Sequence, residues 1–384
     1  MVRRVRTGVG LREVARQFGV SVSVVSRWVA HSAGQRLDRC SFADSKRGRA
    51  WNRIESDIER RILQTRAQLR ELSVLGEYGA DAIQRTLHEE PPAVLVSRAS
   101  INRVLRRHGA TDAHGRVRRP APPKGWYLPE VAAGRAEVDC FDFIEDLKIA
   151  GGPLLNVLTG KSLHGALTDA WVLDKLSAKG CMPCLLGRWQ RDGLPAYAQF
   201  DNDTVFQGAH QFADTVGRVS RLCLALGVIP VFAPPLEHGM QNTIESFNGL
   251  WQAKVWQRYH VDSAAELQAR SHAYIAAHRA RNRQAAEASP PRRPMPEHFE
   301  LDLHAPLRGQ MIFIRRTAES GSVHLMGRHF AVSSEWPNRL VRCEVDFDHH
   351  CIRCFALRRR APGEQALLAT LEYHRPNKPF KGEL

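Results

Sequence analysis

The feature that most constrains the fold is the order of apolar patterns between residues 137 and 259. Three stretches with strand-like alternation come first, and they are "EVDCFDFIE" (Glu137–Glu145), "PLLNVLTG" and "HGALTDAWVL". Helical and strand-like stretches then alternate: a helix over about 174–192 that breaks near Pro183, a strand at Ala196–Phe200, a helix over about 209–226, a strand at Val228–Phe232 and a long helix at Gln241–Tyr259. This order indicates an α/β domain with a mixed sheet, which we predict over residues 131–300.

After the proline-rich run "SPPRRPMP" (Ser289–Pro296) the pattern becomes strand-like again. Five short stretches, from "MIFIRR" to "ALLATLEY", are separated by tight turns. Short strands with such turns are typical of a small all-β unit. We therefore predict a separate small β-barrel over residues 301–384.

The segment "LREVARQFGVSVSVVSRWVA" (Leu11–Ala30) has the pattern of a helix-turn-helix. Gly19 falls where the turn needs a positive φ, and Ser21 or Ser23 can cap the second helix. In the major groove, the side chains of that helix that could reach bases or phosphates are Ser21, Ser23, Ser26 and Arg27. We predict an all-α DNA-binding module over residues 1–50, and an ordinary helical hairpin is the alternative.

A second helical module is predicted over residues 51–110. The stretch Ile54–Leu72 is amphipathic, and "GADAIQRTLHEE" with "SRASINRVLRRHG" forms another helix-turn-helix pair. Ser97 or Ser100 is expected to cap the last helix. Four arginines crowd that helix in a phosphate-binding pattern: Arg98, Arg103, Arg106 and Arg107. A linker rich in Pro and Arg then spans residues 111–130.

The charge distribution favours a nucleic-acid partner for the front of the chain. The net charge is +15 overall. Residues 1–125 carry 25 Lys and Arg against 12 Asp and Glu, whereas residues 126–300 carry 17 against 19. A basic front on a near-neutral middle suggests contacts with phosphates that release counterions. The alternative is a basic surface that is merely solvated.

The sequence also bears on compartment and on structural metals. No stretch approaches the ~18 unbroken apolar residues of a membrane helix, and residues 1–30 lack a signal-peptide core. We therefore expect a soluble intracellular protein whose eight cysteines are reduced. "CMPC" (Cys181–Cys184) and "CIRC" (Cys351–Cys354) have zinc-like spacing, but they fall in different predicted domains, so structural zinc is not expected.

Three carboxylates stand out by their positions in the predicted α/β domain. Asp139 lies in the first strand, Asp201 follows the strand Ala196–Phe200, and Glu245 sits in the first turns of the long helix. Carboxylates that meet at one point repel each other unless divalent cations neutralise them, and Mg²⁺ prefers such hard oxygen ligands. Each also has a plain structural alternative, as a helix cap, a surface strand residue or a favourable charge at a helix N-terminus.

Together with its flanking modules, this region resembles the bacterial insertion-sequence transposases with a retroviral-integrase-type catalytic core, the D,D-E group on an RNase H-like fold. The resemblance is carried by "EVDCFDF", "FDNDTVF" and "GVIPVFAPPLEHGMQNTIESFNGLWQAK", and it covers nearly the whole chain. Asp139, Asp201 and Glu245 match the family's triad one by one.

The resemblance implies a multidomain protein with helix-turn-helix modules, an RNase H-like integrase core over residues 131–300 and a small β-barrel. It implies metal-dependent DNA strand cleavage and strand transfer, with two Mg²⁺ or Mn²⁺ ions held by the three acids. Double-stranded DNA (the element's terminal repeats and target DNA), a dimer or tetramer on that DNA, and a cytoplasmic, nucleoid-associated location in a bacterium follow from it. Asn202, Asn248 and Lys254 are expected to orient ligands or to contact DNA.

Several positions depart from the family's pattern. Asp203 stands where Gly is usual and could compete for metal, Thr243 stands where Gly is common, and Gln252 replaces a frequent basic residue. Asp142 is a rival for the first acid. Asp142 lies three residues after Asp139, so in a regular strand the two side chains face opposite sides. We prefer Asp139 as the first acid.

These departures leave two other functions open. A catalytically inactive, transposase-derived DNA-binding regulator would keep the fold without the chemistry. A plain nuclease of the RNase H class would explain the acids but not the helix-turn-helix front.

Overall fold

The computed structural model describes residues 1–40, 54–111, 124–149, 152–209, 212–235, 239–359 and 361–376. The boundary predicted near residue 50 and most of the predicted linker 111–130 lie outside these ranges. The first helices are α1 (Val2–Arg6), α2 (Leu11–Phe18) and α3 (Val22–His31). α2 ends at Gly19 with a φ of +63°, which glycine adopts readily. Ser21 caps α3, and its side chain accepts a hydrogen bond from the Val24 amide at 3.4 Å.

Three further helices form a second unit, and they are α4 (Ser56–Leu72), α5 (Ala80–Glu89) and α6 (Arg98–Arg107). Their fully buried apolar side chains are aliphatic: Ile62, Ile83, Leu87, Ile101, Val104 and Leu105. Ser97, one of the two predicted caps, accepts a hydrogen bond from the Ser100 amide at 3.2 Å and begins α6. The loop after α4 docks on the rest of the chain, because Arg258 donates to the carbonyl of Ser73 at 2.6 Å.

A mixed sheet forms the centre of the molecule, after the single turn α7 (Pro129–Ala132). Its first strands are β1 (Val138–Lys148), β2 (Leu154–Ser162), β3 (Thr168–Leu173), β4 (Tyr197–Phe200) and β5 (Ile229–Phe232). They stand in the order β5-β4-β1-β2-β3. β1, β2 and β3 pair antiparallel, whereas β4 is parallel to β1 and β5 is parallel to β4. The predicted α/β domain with a mixed sheet is confirmed.

Helices cover both faces of this sheet: α8 (Ala178–Asp192), α9 (Thr204–Gln207), α10 (Arg218–Ala225), α11 (Asn242–Trp251), α12 (Ala264–Arg281) and α13 (Arg283–Glu287). Successive residues of a strand face opposite sides, so Cys140 and its neighbour Phe141 enter different apolar clusters. Phe141 packs with residues of α8 and α10, whereas Cys140 packs with residues of α11 and α12. The two faces of β1 therefore offer different surroundings to its polar residues.

Three predicted helices differ from the observed ones. α8 runs through Pro183 without a break, although proline lacks the N–H that would bond back to the carbonyl of Lys179. The helix predicted over 209–226 shortens to α10, since Gly208 (φ +98°) packs backbone to backbone against Gly217. The long helix at Gln241–Tyr259 is α11 followed by a π-helical turn at Gln252–Trp256.

The C-terminal strands are β6 (Gln310–Arg316), β7 (Ser322–Leu325), β8 (Arg328–Ala331), β9 (Leu340–Asp346), β10 (Cys351–Ala356) and β11 (Leu367–Glu372). β6 pairs with β5 in parallel, and β9, β10 and β11 follow antiparallel, so that nine strands form one sheet. β7 and β8 form a separate hairpin.

The described part of residues 301–384 thus extends the core sheet, and the prediction of a separate barrel there is corrected. The physical reason lies at β5, whose outer edge would otherwise expose unpaired N–H and C=O groups. β6 covers that edge, and the rings of Phe232 and Phe313 stack with centroids 5.1 Å apart. Turn spacing predicted the strands but contains no information about their pairing partner.

No helix within the described ranges has the length and apolar character needed to span a membrane.

Candidate active site

Asp139 is fully buried and lies in an ion network on the α8 side of β1. Arg188 donates to both of its carboxylate oxygens at 2.9 Å, and Arg292 does so at 3.1 and 2.5 Å. The indole of Trp189 donates a further hydrogen bond at 3.2 Å. Burial raises the pKa of Asp139, but the two arginine charges outweigh it and hold the pKa below its ordinary value. The structure does not bring Asp139 together with Asp201 and Glu245.

Asp142, and not Asp139, lies on the part of β1 that is level with Asp201. The parallel pairing of β1 with β4 matches Asp139 to Ala198 and Cys140 to Gln199. The same register, continued for two residues, sets Asp142 level with Asp201. Both carboxylates are half-buried, and Asp142 lies on the side of β1 that α11 covers.

The electrostatics link Asp142 to both of the other predicted acids. Burial, followed by the charge of Asp201 and a smaller effect of Glu245, raises the pKa of Asp142 to about 7. Burial and the nearby charges of Asp203 and Glu145 also raise the pKa of Asp201. Glu245 is exposed in the first turn of α11. The charges of Asp201 and Glu245 therefore both act on Asp142 at this end of the sheet.

Asn248 holds the Asp142 carboxylate in place. Its side-chain amide donates to Asp142 Oδ2 at 2.8 Å, and its own oxygen accepts from the hydroxyl of Thr159 at 2.7 Å. The same hydroxyl also lies 3.0 Å from the Asp142 carbonyl oxygen. Asn248 thus contacts Asp142, and its predicted role in orienting ligands stays a prediction.

The segment Asp201–Asp203 turns the chain away from β4. The Asp203 amide donates to Asp201 Oδ1 at 3.0 Å, and Asp203 itself caps α9 by accepting from the Val205 amide at 2.6 Å. Asn202 donates to the carbonyl of Ala233 at 2.6 Å. Asp203 therefore has a capping role in the structure, while Asp201 keeps Oδ2 without a partner among the described residues.

Lys254, predicted to contact ligands or DNA, docks the second helical unit instead. Its ammonium group donates to the carbonyl of Gly76 at 3.0 Å and lies 5.9 Å from the ring centre of Tyr78. The structure thus does not place Lys254 with the acids.

The residues predicted to bind DNA are exposed on α3, at its cap, and on α6: Ser21, Ser23, Ser26, Arg27, Arg98, Arg103, Arg106 and Arg107. The hydroxyls of Ser21 and Ser23 lie 2.8 Å apart, and Arg27 lies over the ring of Trp28. Arg98 pairs with Asp81 at 3.4 Å, and Arg107 pairs with Glu59. Both helices therefore present basic or hydroxyl side chains to solvent.

The two cysteine pairs lie in separate elements. Cys181 and Cys184 are in α8, and Cys351 and Cys354 are in β10. Cys354 faces Cys343 of the adjacent strand, with 3.6 Å between the sulfur atoms.

In the described ranges, no three His, Cys, Asp or Glu side chains converge closely enough to hold one metal ion. The acids nevertheless fit a divalent cation in charge and donor type. Asp142 and Asp201 supply hard carboxylate oxygens, and the repulsion that raises the pKa of Asp142 is what a bound cation would relieve.

Sequence reasoning missed the two arginine partners of Asp139. Arg188 and Arg292 lie 49 and 153 positions from Asp139, so no local pattern connects them. The sequence offered Asp142 as the rival for the first acid, but only the register of β1 against β4 sets it level with Asp201.

No family model and no curated protein matches the chain. Among solved structures, the chain is similar to the catalytic core domain of BIV integrase, with 16% identity and a TM-score of 0.28 over 36% of this chain and 80% of that chain. It is also similar to the simian T-cell lymphotropic virus intasome in complex with PP2A regulatory subunit B56 gamma (11% identity, TM-score 0.36, 73% and 96% covered). A third is the HTLV-2 integrase catalytic core domain in complex with magnesium, in its dimeric form, with 12% identity and a TM-score of 0.28 over 42% of this chain and 87% of that chain.

Proposed function

We propose that the chain is a DNA transposase or integrase, a metal-dependent polynucleotidyl transferase with Asp142, Asp201 and Glu245 as its acids. The observation that carries the proposal is the environment of Asp142, whose pKa is raised by burial, by Asp201 and by Glu245. Such a group gains from a divalent cation, because the cation removes the repulsion. Asp139 is replaced in this role, since its charge is already neutralised by Arg188 and Arg292.

The three acids would hold Mg²⁺ or Mn²⁺, which when bound helps to activate the attacking oxygen and to stabilise the leaving 3′-oxygen in phosphoryl transfer. Asn248 and Thr159 keep the Asp142 carboxylate in one orientation. The Asp203 amide fixes one oxygen of Asp201 and leaves the other for a ligand. The expected reactions are hydrolysis that frees a 3′-OH at the element end, followed by attack of that hydroxyl on target DNA.

The finer assignment, a bacterial insertion-sequence enzyme that binds its element's ends as a dimer or tetramer, rests on the sequence resemblance. Two features support DNA binding by the front of the chain. Its net charge is strongly positive, with 25 Lys and Arg against 12 Asp and Glu in residues 1–125. Its helices α3 and α6 expose the predicted contact residues.

The test is a cleavage and strand-transfer assay on the element's own end DNA with Mg²⁺ or Mn²⁺. Glu245→Gln keeps the shape of the exposed side chain and removes its charge, so we expect bound DNA and no cutting. Glu266→Gln, on α12, removes a charge outside the site and serves as the control. Equal cleavage by wild type and Glu245→Gln would contradict the proposal.

A catalytically inactive DNA-binding regulator is the second candidate. The observation in its favour is that the acids do not converge on a single ion position among the described residues. Specific binding of end DNA by wild type without cleavage in either metal would favour this function.

A further inference from the structure

A cavity of about 500 Å³ lies beside the acidic site, between the end of β4 and the strands β6 and β7. Its basic lining residues are Arg315, Arg316 and His324, and Asn202 lines it next to Asp201. None of the described residues in its wall is acidic. The cavity is therefore a positively charged space one residue from a proposed metal-binding acid.

Arg315 is a buried cation that has no carboxylate partner in the described part of the chain. It is 8% exposed, and its guanidinium donates to the carbonyls of Ala233 and Ile314 at 3.3 and 2.9 Å and to Asn202 Oδ1 at 2.8 Å. Arg188, by contrast, is fully buried but is bound to two aspartates. Burial lowers the pKa of Arg315 to about 10, so the side chain stays cationic at neutral pH.

A charge buried without a counter-ion is costly, and a bound anion would offset that cost. A guanidinium has five N–H donors, and the three hydrogen bonds of Arg315 leave two of them for a ligand. Guanidinium groups bind phosphate oxygens through two such donors in parallel.

We propose that this cavity binds a phosphodiester group of DNA, held by Arg315 and framed by Arg316 and His324. The inference rests on the proposed function, because a DNA strand that reaches Asp201 would continue past Asn202 into the cavity. Arg315 then has two tasks: it fixes the Asn202 side chain, and it positions the DNA backbone beside the acids.

The experiment is fluorescence anisotropy with a labelled duplex of the element's end sequence, at several salt concentrations and with Ca²⁺ in place of Mg²⁺. For Arg315→Gln we expect about tenfold weaker binding and a salt dependence shallower by about 0.9 in log–log slope, which is the loss of one phosphate contact. Arg315→Lys retains the charge and should keep the wild-type slope. Arg308→Gln, an exposed arginine outside the cavity, is the control and should leave the slope unchanged.

A second variant guards against a folding defect at the buried position. His324 is exposed, so His324→Glu adds a negative charge to the cavity wall without disturbing the core. We expect it to weaken DNA binding about tenfold, while His298→Glu, an exposed histidine elsewhere, does not.

Wild-type affinity and slope in folded Arg315→Gln, or equal binding by the two histidine variants, would overturn the inference. A lowered melting temperature of Arg315→Gln with an unchanged slope would also overturn it, because Arg315 would then only brace Asn202. The anisotropy measurement requires no cleavage. If the wild-type protein never cuts DNA but Arg315→Gln shows the shallower salt dependence, the proposed chemistry is refuted and the phosphate site is supported.

Discussion

At the scale of single residues, Asp139 and Asp142 lie three positions apart on β1 and have opposite electrostatic surroundings. Arg188 and Arg292 hold the pKa of Asp139 low, whereas burial and then neighbouring acids raise that of Asp142. One carboxylate therefore stabilises the folded state through its charge, whereas the surroundings of the other oppose its ionisation. Substitutions at the two positions should separate these roles.

For Asp139→Asn we expect a loss of stability of about 3–5 kcal/mol, because Arg188 and Arg292 would remain buried beside a neutral amide. Urea unfolding of the full chain measures this change. Asp142→Asn is the matched control, and it should not lower the free energy of unfolding at pH 8. Similar losses in both variants would contradict the different roles assigned to the two aspartates.

The raised pKa of Asp142 also predicts a pH dependence. Because its folded value of about 7 exceeds the ordinary 3.8, the folded state binds this proton more tightly than the unfolded state does. Stability from this group is therefore present at low pH and is lost as pH rises from about 4 to 7, by roughly 4 kcal/mol.

The measurement is the difference in unfolding free energy between Asp142→Asn and wild type across that range, without divalent metal. The unfolding free energy of the variant should increase relative to that of the wild type as pH rises. Parallel stability curves would show that Asp142 titrates normally.

At the scale of elements, the sequence predicted caps and strands but not long-range partners. Ser21 and Ser97 were identifiable as caps because capping depends on residues within three positions. The pairing of β6 with β5 joins segments about 80 residues apart and depends on which edge is open, so turn spacing could not predict it. The prediction of Asp139 as the first acid could not take account of its two arginine partners for the same reason, since Arg188 and Arg292 come from distant segments.

The pairing of β6 with β5 predicts that residues 301–384 are needed for a folded core. Ending the chain at residue 300 would expose the β5 edge and remove Phe313 from the stack on Phe232. We expect aggregation during size-exclusion chromatography. Removing residues 1–53, whose helices α1–α3 pack on one another, should leave a folded remainder and serves as the control. A monodisperse, cooperatively melting 1–300 protein would instead support an independent C-terminal unit.

At the scale of the whole molecule, the basic helical front is connected directly to the helix that carries Glu245. α11 continues into the π-helical turn, where Lys254 binds Gly76 of the second unit, and Arg258 just beyond binds Ser73. DNA bound on α6 would thereby be held in a fixed relation to the acids. The basic front and the mixed sheet were predictable from charge and periodicity. The docking of Lys254 and Arg258 on the second unit was not, because it is made to backbone carbonyls, which every residue type has.

The central claim is that Asp142, not Asp139, joins Asp201 and Glu245 in holding a divalent cation. Isothermal titration of Mn²⁺ into wild type, Asp142→Asn and Asp139→Asn at pH 8 tests it most directly, with circular dichroism as the check on folding. We predict binding by wild type and by folded Asp139→Asn, and its loss in Asp142→Asn. Unchanged Mn²⁺ binding in Asp142→Asn, with loss in a folded Asp139→Asn protein, would contradict the account.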